Sequence, residues 1–446
     1  MRKIVLFLML IPMIGMAQAV HIYQGNVITT RYVSEKDLDV LPVYSGGKSM
    51  KVGNNYYRTN TIDSLLITND SLYQENVTIH YNGRSAQVHI YGKTADHISV
   101  TDDDRGNVVF QQYNIPQDDA VAYSVYGLGN GSIKVQGTGN TVVTLWGVSL
   151  ETDSASIVGV ETDSLYLIIR NAKLQCKATD SEAIIRSLAN TRIAGQGRTT
   201  ILNMGGEGIS SDGTIYLETS ILESTTTGRG IHAKGDLFID TDSLYVKSSG
   251  RDAIRSDGKL WMNKGYTVAD AAPEGNSFKG AKGFHVMGGT LVGWGGNVSV
   301  PKTPNDTTET QPVVVFVSSM KENTPWTVTS AGKYVMGAVA PRNLPKKSKQ
   351  VFSCPELLVK KKVTMVQNKE LSGVPWHGLY APVEASGTGK VMGQENSLKM
   401  PYSLITNEND ETSEEDHTGG SSTGGGVDVP IDDDPTDSGN AQSKEI

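Results

Sequence analysis

Cysteine is almost absent from this chain: 446 residues contain only Cys176 and Cys354. Two cysteines cannot build a cysteine-rich metal site, and their separation leaves open one disulfide formed after export or two independent buried thiols. No cysteine stands at the expected cleavage region near Ala19, which argues against the usual bacterial lipid anchor. Long hydrophobic runs are missing too. The longest, from Ile4 to Met16, is too short to span a bilayer, so no membrane span is expected. Basic clusters are confined to Lys346, Lys347 and Lys349 and to Lys360 through Lys362, which gives no footprint for nucleic acid. Helix signals are sparse, and the glycines fall at turns rather than in a nucleotide-binding loop.

The N-terminus supplies Arg2 and Lys3, the apolar run, and then Ala17-Gln18-Ala19, the three parts of a secretory signal. We therefore expect residues 1–19 to be removed and the protein to be exported to the periplasm, the cell surface or the medium. The formal charge of −8 belongs mostly to the other end. From Glu408 onward there are twelve acidic residues and one lysine, and without this tail and the signal the body is nearly neutral. The tail, residues 407–446, is rich in Gly, Ser, Thr and Asp and cannot bury enough apolar surface to offset its ordering entropy. A solvated acidic tail is expected there, with Asp432, Asp433 and Asp434 as a weak alternative for calcium.

Between these ends three stretches superimpose: GEGISSDGTIYL at 206–217, GRGIHAKGDLFI at 228–239 and RDAIRSDGKLWM at 251–262. Ile209, Ile231 and Ile254 keep the same steps as Gly213, Gly235 and Gly258. Self-similarity at this period means stacked coils, each burying its apolar face against its neighbours. The segment SEAIIRS at 181–187 is a degenerate copy, so the coil is expected to begin well upstream of residue 206. Downstream, AKGFHVMGGTLVGWGG at 281–296 reads as another copy with Phe284 in the isoleucine position, and residues 263–280 then read as an insertion looping out. The resulting expectation is an all-β parallel β-helix over 76–300. Leader strands over 20–75 precede it, and a β segment over 301–406 closes it. A leucine-rich horseshoe is disfavoured because its regular leucine frame and asparagine column are missing.

Stacking places equivalent residues in columns about 4.8 Å apart. Ile209, Ile231, Ile254 and Phe284 form an inward column on this alignment, as do Ser211, Ala233, Ser256 and Val286. Glu207, Arg229 and Asp252 form one outward column; Asp212, Lys234 and Asp257 form another. Both alternate in charge, which reads as ion-pair ladders worth ~0–1 kcal/mol per exposed pair, or as calcium ligands, since hard cations want carboxylate oxygens from neighbouring turns. A third column, Ser210, His232, Arg255 and His285, would suit a carboxylated sugar, because a guanidinium offers a two-pronged fork to a uronate. A fourth, Tyr216, Phe238, Trp261 and Val292, reads as a stabilising stack or as a sugar platform. Trp294, in GWGG, is freer to present a face, as are Trp376 and Tyr380.

The frame of GRGIHAKGDLFI and its neighbours resembles the clostridial cellulose- and polygalacturonate-binding β-helix family, found also in gut Bacteroidetes. The resemblance runs from about residue 76 to about residue 385 and includes GFHVMGGTLVGWGG and QPVVVFVSSM. It implies a right-handed parallel β-helix similar to pectate lyases, calcium at acidic turn residues, and binding to cellulosic or acidic plant polysaccharide. By motif position it implies calcium ligation by Glu207, Asp212, Asp252 and Asp257. Arg229 and Lys234 depart from the family pattern in the middle coil, whereas His232 and His285 keep a position that is often histidine.

The lead expectation is a secreted, monomeric, non-catalytic carbohydrate-binding protein. His232, Arg255, His285, Trp261 and Trp294 are its candidate sugar contacts, and the four carboxylates its candidate calcium ligands. A calcium-dependent polysaccharide lyase is the enzymatic alternative, with Arg255 or Lys282 as the base that takes the proton beside a uronate carboxyl. A structural or adhesion β-helix is the third.

Overall fold

Along Asn140–Thr152 and Ser164–Cys176 buried and accessible residues alternate, so one row of side chains points inward and the next outward. The alternation slips at one place, where Trp146 and Gly147 are both exposed, and again one coil on at Arg170 and Asn171. At these positions the backbone enters the left-handed region, with φ 58° at both Gly147 and Asn171, and the strand turns a corner. Gly127 and Gly197 repeat the corner in the flanking coils.

This computed structural model describes residues 18–407, apart from 34–42, 45, 53–54, 69–75, 154, 305–309 and 387–388. Except for their boundary residues, the expected signal and acidic tail lie outside the described residues. The fold is all-β with a parallel β-helix of about eight turns. One side of the helix is a ladder of short strands running from Val108–Gln112 to Phe278–Gly280. The other two sides are the two halves of longer strands, bent at the corner: Ala120–Asn130, Asn140–Thr152, Ser164–Cys176, Asn190–Asn203 and Ile215–Thr226. In later coils the halves separate, as in Leu237–Ile239 and Ser243–Ser248.

Every coil pairs in parallel with the next, and the expected column Ile209, Ile231, Ile254 is in register. It extends upstream to Ile185, which places the SEAIIRS segment in the coil. The downstream alignment needs correction. Ile254 pairs with Phe278, not Phe284, and Ser256 with Gly280, not Val286. Phe284 instead pairs with Leu260, in the column after the glycine turn. Residues 263–280 are therefore not an insertion, because Tyr266–Asp270 stacks on Ser243–Ser248 as an ordinary strand of the coil. With this correction the spacing from Ile254 to Phe278 matches the other repeats.

At the N-terminal end, Gln18–Gln24 and Val27–Val33 form an antiparallel pair, and Val27–Val33 lies parallel to Ser85–Tyr91. Ser85–Tyr91 pairs with Val77–Gly83, which begins the parallel stacking on Ala120–Asn130. At the other end Lys349–Ser353 pairs antiparallel with Thr290–Trp294. A separate antiparallel sheet built on Pro325–Ser330 and Lys333–Val339 lies beyond it. This end has its own core, in which Trp294, Phe316, Trp326 and Phe352 are buried together. Cys176 lies in the coil core and Cys354 in the C-terminal core; both are free buried thiols, so the open disulfide alternative is resolved against a bond.

Two measurements check this account. Ile231 is fully buried between Ile209 and Ile254, so Ile231→Ala is expected to cost about 2–5 kcal/mol in urea denaturation. His89 sits in the N-terminal strands, where burial first and the neighbouring His21 second push its pKa down to about 4. The unfolded chain therefore takes a proton near pH 6.5 that the folded chain refuses until about pH 4. His89's contribution should be complete above pH 6.5 and decline as the pH falls toward 4. Replacing His89 with Gln should flatten that part of the stability profile.

Candidate functional site

The charged columns lie on the short-strand side, and the structure brings most of their members together. Arg229 Nη1 stands 3.0 Å from Glu207 Oε1, and His232 Nδ1 stands 3.5 Å from the same oxygen. His232 Nε2 reaches Asp257 at 3.2 Å, so the imidazole bridges two coils. Arg255 spans Asp257, at 2.8 Å from Nε, and Asp252, at 3.6 Å from Nη1. Asp252 also accepts from the Asn276 backbone and side-chain amides at 2.7 and 2.8 Å. Asp212 takes Lys234 at 3.1 Å, with Arg186 at 3.9 Å.

These groups satisfy one another. Burial works against ionisation of Glu207, but His232 and then Arg229 outweigh it and hold the carboxyl at about 2. Burial likewise opposes the Arg255 charge, yet Asp257 and Asp252 push its pKa up, so the guanidinium is a poor proton acceptor. Lys282 is an exposed residue of the turn after Phe278–Gly280. The four proposed calcium ligands already hold protein cations or N–H groups, so a calcium ion would have to displace Arg229, His232, Lys234 or Arg255. As a calcium donor set they fit poorly in this arrangement.

Three further candidates move. His285 is not in the His232 and Arg255 column, whose next member is Lys279. It is buried, its Nδ1 lies 2.8 Å from the Lys302 carbonyl, and burial lowers its pKa. His285 instead completes the aromatic column in the place expected for Val292, stacking on Trp261 with centroids 4.3 Å apart. Trp261 is thus held between Phe238, at 5.9 Å, and His285. Trp294 is 1% exposed, packs edge-on against Phe352, and presents no face to solvent. The GWGG glycines admit the preceding coil, since a Cβ at Gly293 would meet Ser277 and Phe278 and one at Gly296 the backbone of Pro273 and Glu274.

The same aromatic column extends upstream, onto coils whose outward positions the repeat alignment did not reach. Its full run is Tyr166, Arg192, Tyr216, Phe238, Trp261 and His285. On the same side, four residues further along each strand, a second column runs His80, Tyr126, Trp146 and Arg170. At the rise of an extended strand the two columns stand about 13 Å apart. Between them lies a row of smaller residues: Ser124, Thr144, Ile168 and Ala194. The result is a shallow trough whose long side chains wall it one side at a time: Tyr126 and Trp146 face Ala122 and Val142, Tyr166 and Arg170 share one strand, and Arg192 and Tyr216 face Gln196 and Ser220.

These rings are accessible: Tyr126 is 40% exposed, Trp146 45%, Tyr166 38% and Tyr216 42%. They stack along the axis, His80 on Tyr126 at 4.8 Å and the Arg170 guanidinium over Trp146 at 4.3 Å. Their edges and polar heads therefore line the trough. None of the three tyrosine hydroxyls, the Trp146 indole N–H or the Arg170 guanidinium has a hydrogen-bond partner among the described residues. Arg192 differs, since Glu218 holds it at 2.7 Å. Outward alternation in TVVTLWGVSL and SLYLIIRNAKLQCK was the sequence signal for these residues, because it puts Trp146, Tyr166 and Arg170 on one face.

Residues 74–292, the coil with its two candidate faces, match the family model described as carbohydrate-binding domain-containing protein. No curated protein and no solved structure matches the chain. The matched segment stops at the strand that carries the C-terminal core, Thr290–Trp294.

The self-neutralising reading of the charged face has a direct check. Removing the Glu207 charge with Glu207→Gln leaves Arg229 and His232 short of a partner, at an expected cost of about 1–3 kcal/mol at neutral pH. Because the folded pKa is depressed to about 2, this contribution is present above the unfolded value near 4.5 and fades as the pH falls toward 2. Urea midpoints of wild type and variant should converge in strong acid; a constant gap across pH would contradict it.

Proposed function

We propose that this is an exported, non-catalytic carbohydrate-binding protein that holds an extended plant-type polysaccharide, cellulosic or pectic, in the trough between the two aromatic columns. The observation that carries the reading is the set of exposed side chains with unspent hydrogen-bonding capacity: Tyr126, Trp146, Tyr166, Arg170 and Tyr216. On the charged side, by contrast, outward groups are paired with the coil above or below. Rings carry apolar edges for sugar C–H groups, and their hydroxyls and indole N–H match sugar hydroxyls. Arg170 adds a fork suited to a uronate carboxylate. The family match over residues 74–292 supports the same class of ligand.

The carbohydrate contacts expected from the sequence move accordingly. Trp261 remains in the aromatic column but between two rings, Trp294 and His285 are buried, and His232 and Arg255 are engaged by carboxylates. Calcium assistance through Glu207, Asp212, Asp252 and Asp257 is a finer proposal, and it requires that these carboxylates leave their present partners.

The test is retention of the mature protein on insoluble cellulose and on immobilised polygalacturonate. Trp146→Ala and Arg170→Ala should each weaken retention about tenfold or more, while Arg255→Ala should leave it unchanged. Retention indifferent to both trough variants sinks the assignment of the trough. Loss of retention in chelator would place a metal ion in the complex, and release of ultraviolet-absorbing unsaturated sugar would turn the reading to a lyase.

A further inference from the structure

Around the corner from the trough, the second half of the long strands carries another pair of outward columns. One runs Ser149, Lys173, Thr200, Glu223 and Tyr245, and the other Glu151, Gln175, Leu202 and Thr225. From Lys173 and Gln175 onward they line a groove of ≈310 Å³, large enough for a small ligand. Lys173, Thr200 and Thr225 have no side-chain hydrogen bond among the described residues, Lys173 lying within electrostatic reach of Glu151, and Leu202 offers exposed apolar surface beside them. This mixture of one apolar patch and several free polar groups is what a sugar ring meets well.

One end of the groove is closed by the C-terminal unit. Trp376 and Leu379 exchange backbone hydrogen bonds, at 2.8 and 2.9 Å, around a two-residue turn. Both central residues of that turn have positive φ, His377 at 44° and Gly378 at 82°, the hairpin turn that favours Asn or Gly at its first position. Histidine there is strained, and such strain persists where the surroundings hold the residue in place. The surroundings do so here: the His377 ring stacks on Tyr245 at 3.7 Å, and its Nε2 lies 2.8 Å from Glu223 Oε1. Trp376 Nε1 donates to the Leu244 carbonyl at 3.4 Å, anchoring the same turn. Among the described residues nothing comparable covers the columns toward the N-terminal coils, where Ser149 and Leu128 are exposed.

A groove open at one end and stopped at the other accepts a chain end, not the middle of a chain. Resting on the carbohydrate-binding reading above but on a different face, we infer that this groove is a second glycan site, which takes the terminal pyranose unit of a sugar chain against the wall made by Tyr245 and His377. Thr200, Thr225 and the Lys173 ammonium address its hydroxyls, and Leu202 packs on its apolar face.

The test uses full-length mature protein with cello-oligosaccharides and galacturonate oligosaccharides, with uncapped and chemically capped ends, alongside the two parent polymers. Leu202→Trp fills the groove from an exposed position, and His377→Gly removes the wall while keeping the turn; thermal unfolding reports whether either disturbs the fold. The site predicts that Leu202→Trp and His377→Gly each weaken oligosaccharide affinity at least tenfold, that capping the chain end does the same to wild type, and that polymer retention survives Leu202→Trp. Trp146→Ala should show the reverse pattern. Oligosaccharide affinity unchanged by Leu202→Trp and by capping overturns the groove and leaves the trough standing. Failure of wild type to bind any of these polymers or oligosaccharides overturns both sites.

Discussion

Everything on the surface of this protein follows from one constraint, the parallel hydrogen-bonded ladder that ties each coil to the next at about 4.8 Å. Once Ile209 pairs with Ile231 and Ile231 with Ile254, every outward residue acquires an axial neighbour of fixed identity. A side chain therefore has one partner above and one below before it has any other. Inward, this rewards apolar residues with small fillers such as Ser211, Ala233 and Ser256. Outward, it converts a sequence repeat into columns that either satisfy themselves or do not.

The charged side satisfies itself. Glu207 meets Arg229 one coil on, Lys234 meets Asp212 one coil back, and His232 is shared between Glu207 and Asp257. Alternation of sign was legible in the sequence, and its physical meaning is neutralisation between coils: a third carboxylate would have to sit where Arg229 or Lys234 now sits. The same logic explains the aromatic column from Tyr216 to His285, whose rings spend their faces on each other. A column that is periodic and chemically complementary is thereby weak grounds for a binding site.

The sequence made the coil legible wherever the period was clean, and it misled where two segments competed for one position. Both SFKG, at Phe278, and GFHV, at Phe284, offer a phenylalanine beside a glycine. Alignment on the glycine-rich copy chose the second and turned a regular strand, Tyr266–Asp270, into an insertion. That single slip moved His285 from a stacked position to an imagined basic column. Trp294 differs for another reason: its glycine-rich flanks look open in sequence, yet a second core that includes Phe316, Trp326 and Phe352 buries it. Nothing local to GWGG encodes that covering.

The residues of the proposed site are legible in principle, since outward alternation alone places Trp146, Tyr166 and Arg170 on one face. The recognisable repeat begins downstream of them, so repeat alignment alone does not reach them. Their coils are less alike in sequence, and that difference is itself informative. Where successive coils carry matched charges or matched rings, selection of one residue is accounted for by its neighbour, and the column needs no ligand. Arg255 and Arg170 are both outward arginines on adjacent sides of one coil stack, but Arg255 has two carboxylates and Arg170 has only the face of Trp146. Stacking accounts for part of these side chains, with Arg170 over Trp146, His80 on Tyr126 and Tyr216 on Phe238, but it leaves the guanidinium, the indole N–H and the three phenol hydroxyls without hydrogen-bond partners among the described residues. Those open polar groups, and not the periodicity of their columns, are what the proposed carbohydrate site rests on.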